Sequence, residues 1–178
     1  MSKEVMEGEV ADVEAVATEV EIAFKVSVDE ERRVKVRFGT VITTVLEVFA
    51  RERSCPVEEL IVIREGEEVE LDLGTVIEPG YPHHRRHHVH HKSALEVVVN
   101  YNMGTHEKKF RRRATIDDVL TWAIPAFGID PAMASEFELA RHGETTELPG
   151  TDHLGHLAHH HHKLELDLVR GALVNGAA

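Results

Sequence analysis

The chain repeats itself, and that repeat limits its possible architecture more than any single motif does. Arg64 to Leu71 and Arg141 to Leu148 share five identities in eight residues at an offset of 77. A Gly-Thr pair follows each segment (Gly74-Thr75 and Gly150-Thr151), and a histidine-rich stretch follows each pair. Upstream, Ile42-Thr43-Thr44-Val45-Leu46 parallels Ile116-Asp117-Asp118-Val119-Leu120, and Cys55-Pro56-Val57 parallels Asp130-Pro131-Ala132. The landmarks keep their order, with offsets drifting only from 74 to 77, so the chain is a tandem duplication of a unit shorter than 80 residues.

Each copy resolves into the same elements. In the first, residues 21–28 alternate with period two, Asp29 to Arg32 turn, and residues 34–38 alternate again, which predicts a hairpin. Thr40 is placed to cap a helix whose Ile42, Val45, Leu46 and Phe49 form one apolar face. That helix must end before Pro56. Leu60 to Ile63 reads as a buried strand, Gly66 as a tight turn, and Val69 to Leu71 as a short strand. The second copy gives a strand over 95–101, a strand around Phe110, a helix over 116–124, a strand over 137–140 and a last strand over 163–169. This order of strands around one helix is the β-grasp, so the expectation is an α+β chain of two tandem β-grasp domains. Residues 94–100 could close the first copy or open the second. The second helix needs an opening strand, which leaves Arg85 to His91 to close the first copy, unless that sheet lacks a strand. The domains are then 19–92 and 93–170, preceded by an acidic tail over 1–18, expected to be mobile, and followed by a flexible tail over 171–178. The two cores are expected to be separate, joined near Lys92-Ser93, and packed end to end or loosely.

Composition narrows the function. Hydrophobic residues make up 42% of the chain, enough for packed cores, whereas disordered chains fall far below this. With 32 acidic against 20 basic residues the net charge is −12, which argues against nucleic acid as a partner. No apolar run reaches the roughly 20 residues of a membrane span, and Met1-Ser2-Lys3-Glu4 opens no signal sequence, so a cytoplasmic protein without a membrane partner is expected. The single cysteine, Cys55, fits a reducing compartment.

Twelve of the 14 histidines lie between His83 and His91 or between His153 and His162. Such density can bind Zn²⁺ or Ni²⁺ adventitiously. No cysteine partner or fixed ligand spacing accompanies it, however. The simpler reading is a polar loop and strand edge that charges as pH falls from 8 to 6, and no metal or cofactor site is assigned. Cys55 precedes Pro56 with no histidine near it in sequence and reads as a free structural thiol. Trp122 reads as core packing. No nucleophile elbow, phosphate loop, metalloprotease helix or paired-cysteine site is present, so no catalytic residue is assigned and the chain is read as a non-enzyme. The last strand runs straight into Arg170-Gly171-Ala172-Leu173-Val174-Asn175-Gly176-Ala177-Ala178, an uncharged stem of small residues after Arg170. A carboxyl terminus that must thread a narrow enzyme channel needs such a stem, since glycine lacks the Cβ that would block close approach.

Two β-grasp units ending in a small-residue tail resemble the two-domain ubiquitin-like modifiers, both the interferon-induced vertebrate form and BilA of the bacterial antiphage Bil operons. The resemblance covers residues 19–176. It implies an ATP-dependent activating enzyme, a conjugating enzyme that carries the modifier as a thioester, a metalloprotease that processes or deconjugates it, and a target protein that receives it, in antiphage defence a virion protein. This sequence lacks a terminal Gly-Gly. Gly176 ranks first as the conjugation terminus, because at about 3.3 Å per residue it stands roughly 26 Å beyond Leu168. Gly171 ranks second, at roughly 10 Å. Family members carry an apolar interaction patch on the sheet, which places Ile63 in copy one and Ala140 in copy two at that position; core packing is the competing role for Ile63. Two other functions stay open: a non-covalent tandem ubiquitin-like adaptor, and a histidine-rich metal-handling protein.

Overall fold

The structure, a computed structural model, describes residues 18–171. In the first unit β1 (Glu19–Lys25) and β2 (Glu31–Arg37) form the expected hairpin, with Ile22 opposite Val34. The two-residue β3 (Thr40–Val41) leads into α1 (Ile42–Glu52). A 3-10 turn over Val57–Glu59 follows, then β4 (Leu60–Arg64), β5 (Val76–Ile77) and β6 (His87–His91). Lys92 and Ser93 connect to the second unit. There β7 (Ala94–Tyr101) and β8 (Gly104–Arg111) form the hairpin, followed by α2 (Ile116–Ala126) and a 3-10 turn over Pro131–Glu136. The unit ends with β9 (Phe137–Arg141), α3 (Leu154–Ala158) and β10 (Lys163–Arg170).

The sheets run β2-β1-β6-β4 and β8-β7-β10-β9. In each, the first and last long strands lie parallel at the centre: Phe24 faces His87 in one, and Leu166 faces Val99 in the other. This is one β-grasp topology built twice. Each unit has its own core, around Phe24, Phe49 and Leu46 in the first and Leu95, Val119 and Leu166 in the second. Trp122 packs at the edge of the second core against Phe110, with ring centroids 5.7 Å apart.

The helix starts explain why the Gly-Thr landmark recurs. The first amides of α1 donate to the carbonyls of Thr75 and Leu73, at 2.8 and 3.2 Å, and those of α2 to Asp152 and Gly150, at 3.0 and 2.9 Å. The loop that holds the Gly-Thr pair thus supplies acceptors that side-chain caps otherwise provide. The Asp117 carboxylate packs against Gly150 where a Cβ would otherwise lie, so a larger residue there would push that side chain aside. Thr40 is not the cap of α1: it sits in β3, pairs with Ile77, and Val41 occupies the cap position without a side-chain bond. Thr115 is a true cap, with Asp118 completing a capping box.

Val69 to Leu71 is not a strand, and Val69 is 76% exposed. One backbone bond, from the Leu71 amide to the Val62 carbonyl at 2.8 Å, holds the segment, and Leu148 bonds Leu139 in the same way at 2.9 Å. The structural partner of the helix start is β5 instead. Nor is the histidine-rich β6 a strand edge: it lies between β1 and β4, with His87, His88 and His90 at 0, 6 and 2% exposure.

Candidate functional site: the C-terminal stem and the faces of the sheets

β10 occupies the centre of its sheet, between β7 and β9, so the stem leaves from a rigid strand. At its end Arg170 pairs with Glu136 at 3.1 Å and lies over the Phe137 ring. The Gly171 amide donates to the Glu136 carbonyl at 2.8 Å, and a Cβ on Gly171 would strike the Glu138 carboxylate. Gly171 is therefore still fastened to the sheet. Gly176 lies outside the described residues, as does the N-terminal tail up to residue 17.

Ile63 and Ala140 take similar places. In β4, Leu60 and Val62 belong to the first core, and Ile61 and Ile63 alternate onto the opposite face. Yet Ile63 is only 4% exposed. Its cross-strand partner His88, and His90 beside it, meet His153 and His156 of the second unit. In β9, Leu139 is in the core and Ala140, on the other face, is fully buried opposite Asp167. With the units in this arrangement neither residue presents apolar surface.

The seam between the units is built of imidazoles. His88 Nδ1 lies 3.2 Å from His156 Nε2, and His90 Nε2 lies 2.7 Å from His153 Nδ1. His88 stacks on His153 with centroids 4.1 Å apart, and His90 stands over His156 at 4.2 Å. Gly155 lets α3 come this close: a Cβ there would lie 2.6 Å from His90 Nδ1 and 2.8 Å from Arg112 Cβ. Arg113 adds a link across the seam, donating to the Glu68 carbonyl at 2.7 Å.

Burial is the main force on these rings, and it disfavours their charged forms. It pushes His88 down to about 3, with His153, Lys25 and Arg86 adding to the effect. His153 is pushed down to about 4 by burial and Lys25, against the pull of Asp118. His156 falls to about 2 through burial, His153 and His88, and His90 lies well below the ordinary imidazole value. In the first core, burial takes His87 to about 4; its Nε2 pairs with the Tyr81 hydroxyl at 2.6 Å and its Nδ1 with the Arg85 carbonyl at 2.7 Å. Charging of both stretches between pH 8 and 6 is thus corrected for these five rings, which stay neutral through that range. His83, His84 and the run from His159 to His162 are exposed.

The structure also brings His91 near Cys55, which sequence distance hid. Cys55, Glu59 and His91 hold their ligand atoms within 4.8 Å of one another. His91 already bonds Glu59 at 2.9 Å through Nε2 and Ser93 at 2.7 Å through Nδ1, while burial and Glu59 raise the Cys55 thiol. Neither nitrogen is free to activate the thiol. α3 was missed altogether; its only signal is Leu154 and Leu157 at helical spacing inside a histidine-rich stretch.

Two β-grasp sheets in tandem, the second delivering a central strand to the C-terminal stem, define a tandem ubiquitin-like protein. Residues 96–171, the second unit, match the family BilA ubiquitin-like domain 2. Among solved structures, Caldiarchaeum subterraneum ubiquitin is 14% identical, with 46% of this chain and 99% of that chain covered and a TM-score of 0.37. A ubiquitin-like domain of an Arabidopsis thaliana protein is 15% identical, covering 44% of this chain and 83% of that one, with a TM-score of 0.35. No curated protein matches the chain. No helix among the described residues is long and apolar enough to cross a membrane.

Proposed function

We propose that this protein is a ubiquitin-like modifier, attached covalently to target proteins through a processed C-terminal glycine in bacterial antiphage defence. One observation carries the reading: the unit that matches BilA ubiquitin-like domain 2 is the unit that ends in the C-terminal stem. The activating enzyme would join the terminal carboxylate to AMP, releasing pyrophosphate from ATP. A cysteine thiolate then displaces AMP to form a thioester, the conjugating enzyme accepts it by exchange, and a target amine expels the thiol to form an amide. The modifier is the substrate of these steps, not their catalyst, and they would take place in the cytoplasm.

What the chain itself must supply is reach. A terminus at Gly171 would first have to break the hydrogen bond from its amide to the Glu136 carbonyl and leave β9. Five more residues, up to Gly176, extend at most about 17 Å further and avoid that cost. Gly176 remains first and Gly171 second, with a metalloprotease removing Ala177 and Ala178.

The test is expression with candidate activating and conjugating enzymes during phage infection, followed by mass mapping of adducts. An amide-linked remnant ending at Gly176 is expected, and deletion of residues 171–178 should abolish adducts. Defence that survives this deletion would overturn the modifier reading in favour of a non-covalent adaptor. A remnant ending at Gly171 would reverse the ranking.

A further inference from the structure

Four imidazoles drawn from both units meet in the seam, and conjugation has no use for them. His88 and His90 project from one face of β6, His153 precedes α3, and His156 lies within it. One ring nitrogen from each of His88, His153 and His156 lies within 4.8 Å of the other two. A tetrahedral zinc ion bound at about 2.0–2.1 Å holds imidazole nitrogens about 3.3 Å apart, so closing the triad takes ring shifts of about 1 Å. Rotation of His88 about χ2, a soft torsion, supplies that shift and leaves the bond between His153 and His90 in place.

Two observations point to an ion. His156 Nε2 stands 3.2 Å from His88 Nδ1, the spacing of two imidazole nitrogens on one tetrahedral ion. The triad also opens onto a cleft of about 820 Å³. Its walls carry six carboxylates, among them Glu65, Asp117, Asp118 and Asp152, against four basic side chains, so the cleft favours cations. The bond between His90 and His153 Nδ1 leaves Nε2 of His153 for the ion, with His90 fixing the ring from behind.

We propose that His88, His153 and His156 form a transition-metal site, suited to Zn²⁺, that clamps the two ubiquitin-like units in one orientation. The ligands come from both units, so the ion is an inter-domain tie. It is distinct from the exposed run of His159 to His162, whose binding would be adventitious.

The test uses untagged full-length protein, purified without metal resin, stripped with a chelator and titrated with Zn²⁺ and, separately, Co²⁺. Wild type should take up one tightly held ion per chain, raise its thermal midpoint, and give the intense visible bands of tetrahedral Co²⁺. His153→Gln and His88→Gln should each weaken binding about tenfold or more, since even removal of a residue that only orients a ligand costs about 10–100-fold. Replacing His159, His160, His161 and His162 together by Gln should leave the tight ion in place. Wild type that binds no stoichiometric ion would overturn the proposal, as would tight binding lost with the exposed run and kept in the triad variants. If the triad variants fail to fold, wild type decides alone: Co²⁺ bound without tetrahedral bands would also overturn it. Conjugation enters none of these readouts.

Discussion

Two kinds of residue set the seam, an imidazole that stays neutral and a glycine that makes room. Each buried histidine has a folded-state value below the ordinary 6.5, so at pH values between the two the unfolded chain binds the proton and the folded chain does not. Their contribution to stability is therefore complete above about pH 6.5 and declines as pH falls toward the folded values of about 4 for His153 and about 3 for His88. The groups facing them include Lys25, Arg86 and Arg113, which oppose charging, and Asp118 and Glu65, which favour it, Glu65 standing 4.0 Å from His88. Metal-free protein should have a lower urea midpoint at pH 5 than at pH 7.5; equal midpoints would mean that the rings are not held neutral. His142 behaves oppositely. It is hydrogen-bonded to Asp167 at 2.8 Å and its value is raised, so its contribution is present below about pH 6.5 and lost as pH rises through its folded value. Gly155 is tested by Gly155→Ala. The new methyl group meets the Arg112 backbone oxygen at 3.1 Å as well as His90, so overpacking should cost about 1–3 kcal/mol in chemical denaturation. Full stability in that variant would show that α3 can move away from β6 freely.

The repeated elements are less alike than their landmarks suggest. The first amides of both helices donate to carbonyls of the loop that holds the Gly-Thr pair, but only α2 has a capping box. Thr115→Ala should therefore cost about 1 kcal/mol, while Thr40→Ala, which removes no cap, should cost about 0.5 kcal/mol or less. Equal losses in thermal unfolding would contradict the distinction. The central strands differ too. β10 alternates Leu164, Leu166 and Leu168 into the second core, whereas β6 turns Val89 and His87 inward and shows His88 and His90 to the second unit. A polar strand in the middle of a sheet holds because its imidazoles find partners: Tyr81 for His87, and His153 and His156 for the outer pair.

As a whole, the molecule has two cores but no free face between them. The face of the first sheet that carries Ile61, Ile63, His88 and His90 is covered by the second unit, which leaves no apolar patch there for a partner. Separating the units at Lys92-Ser93 should expose it. In the isolated first unit, His88 and His90 should titrate closer to the ordinary imidazole value by NMR, whereas in the full chain burial should hold both below it, His88 at about 3. Matching titration curves in the two samples would show that the seam does not bury them in solution.

Local and periodic features were legible in the sequence. The duplication, the alternation of β1 and β2, the apolar faces of α1 and α2, and the landmark order all follow from spacing, because strand and helix periods depend on neighbours a few residues away. They led to two β-grasp units, including β6 as the closing strand of the first. What the sequence could not give was contact across distance. His88 and His156 are 68 residues apart, and His90 and His153 are 63 apart, so no local pattern marks them as partners. The same imidazole is a solvated loop side chain at His160 and a buried neutral ring at His156. Which it becomes depends on whether another surface removes its water, and only the packing of one unit against the other decides that.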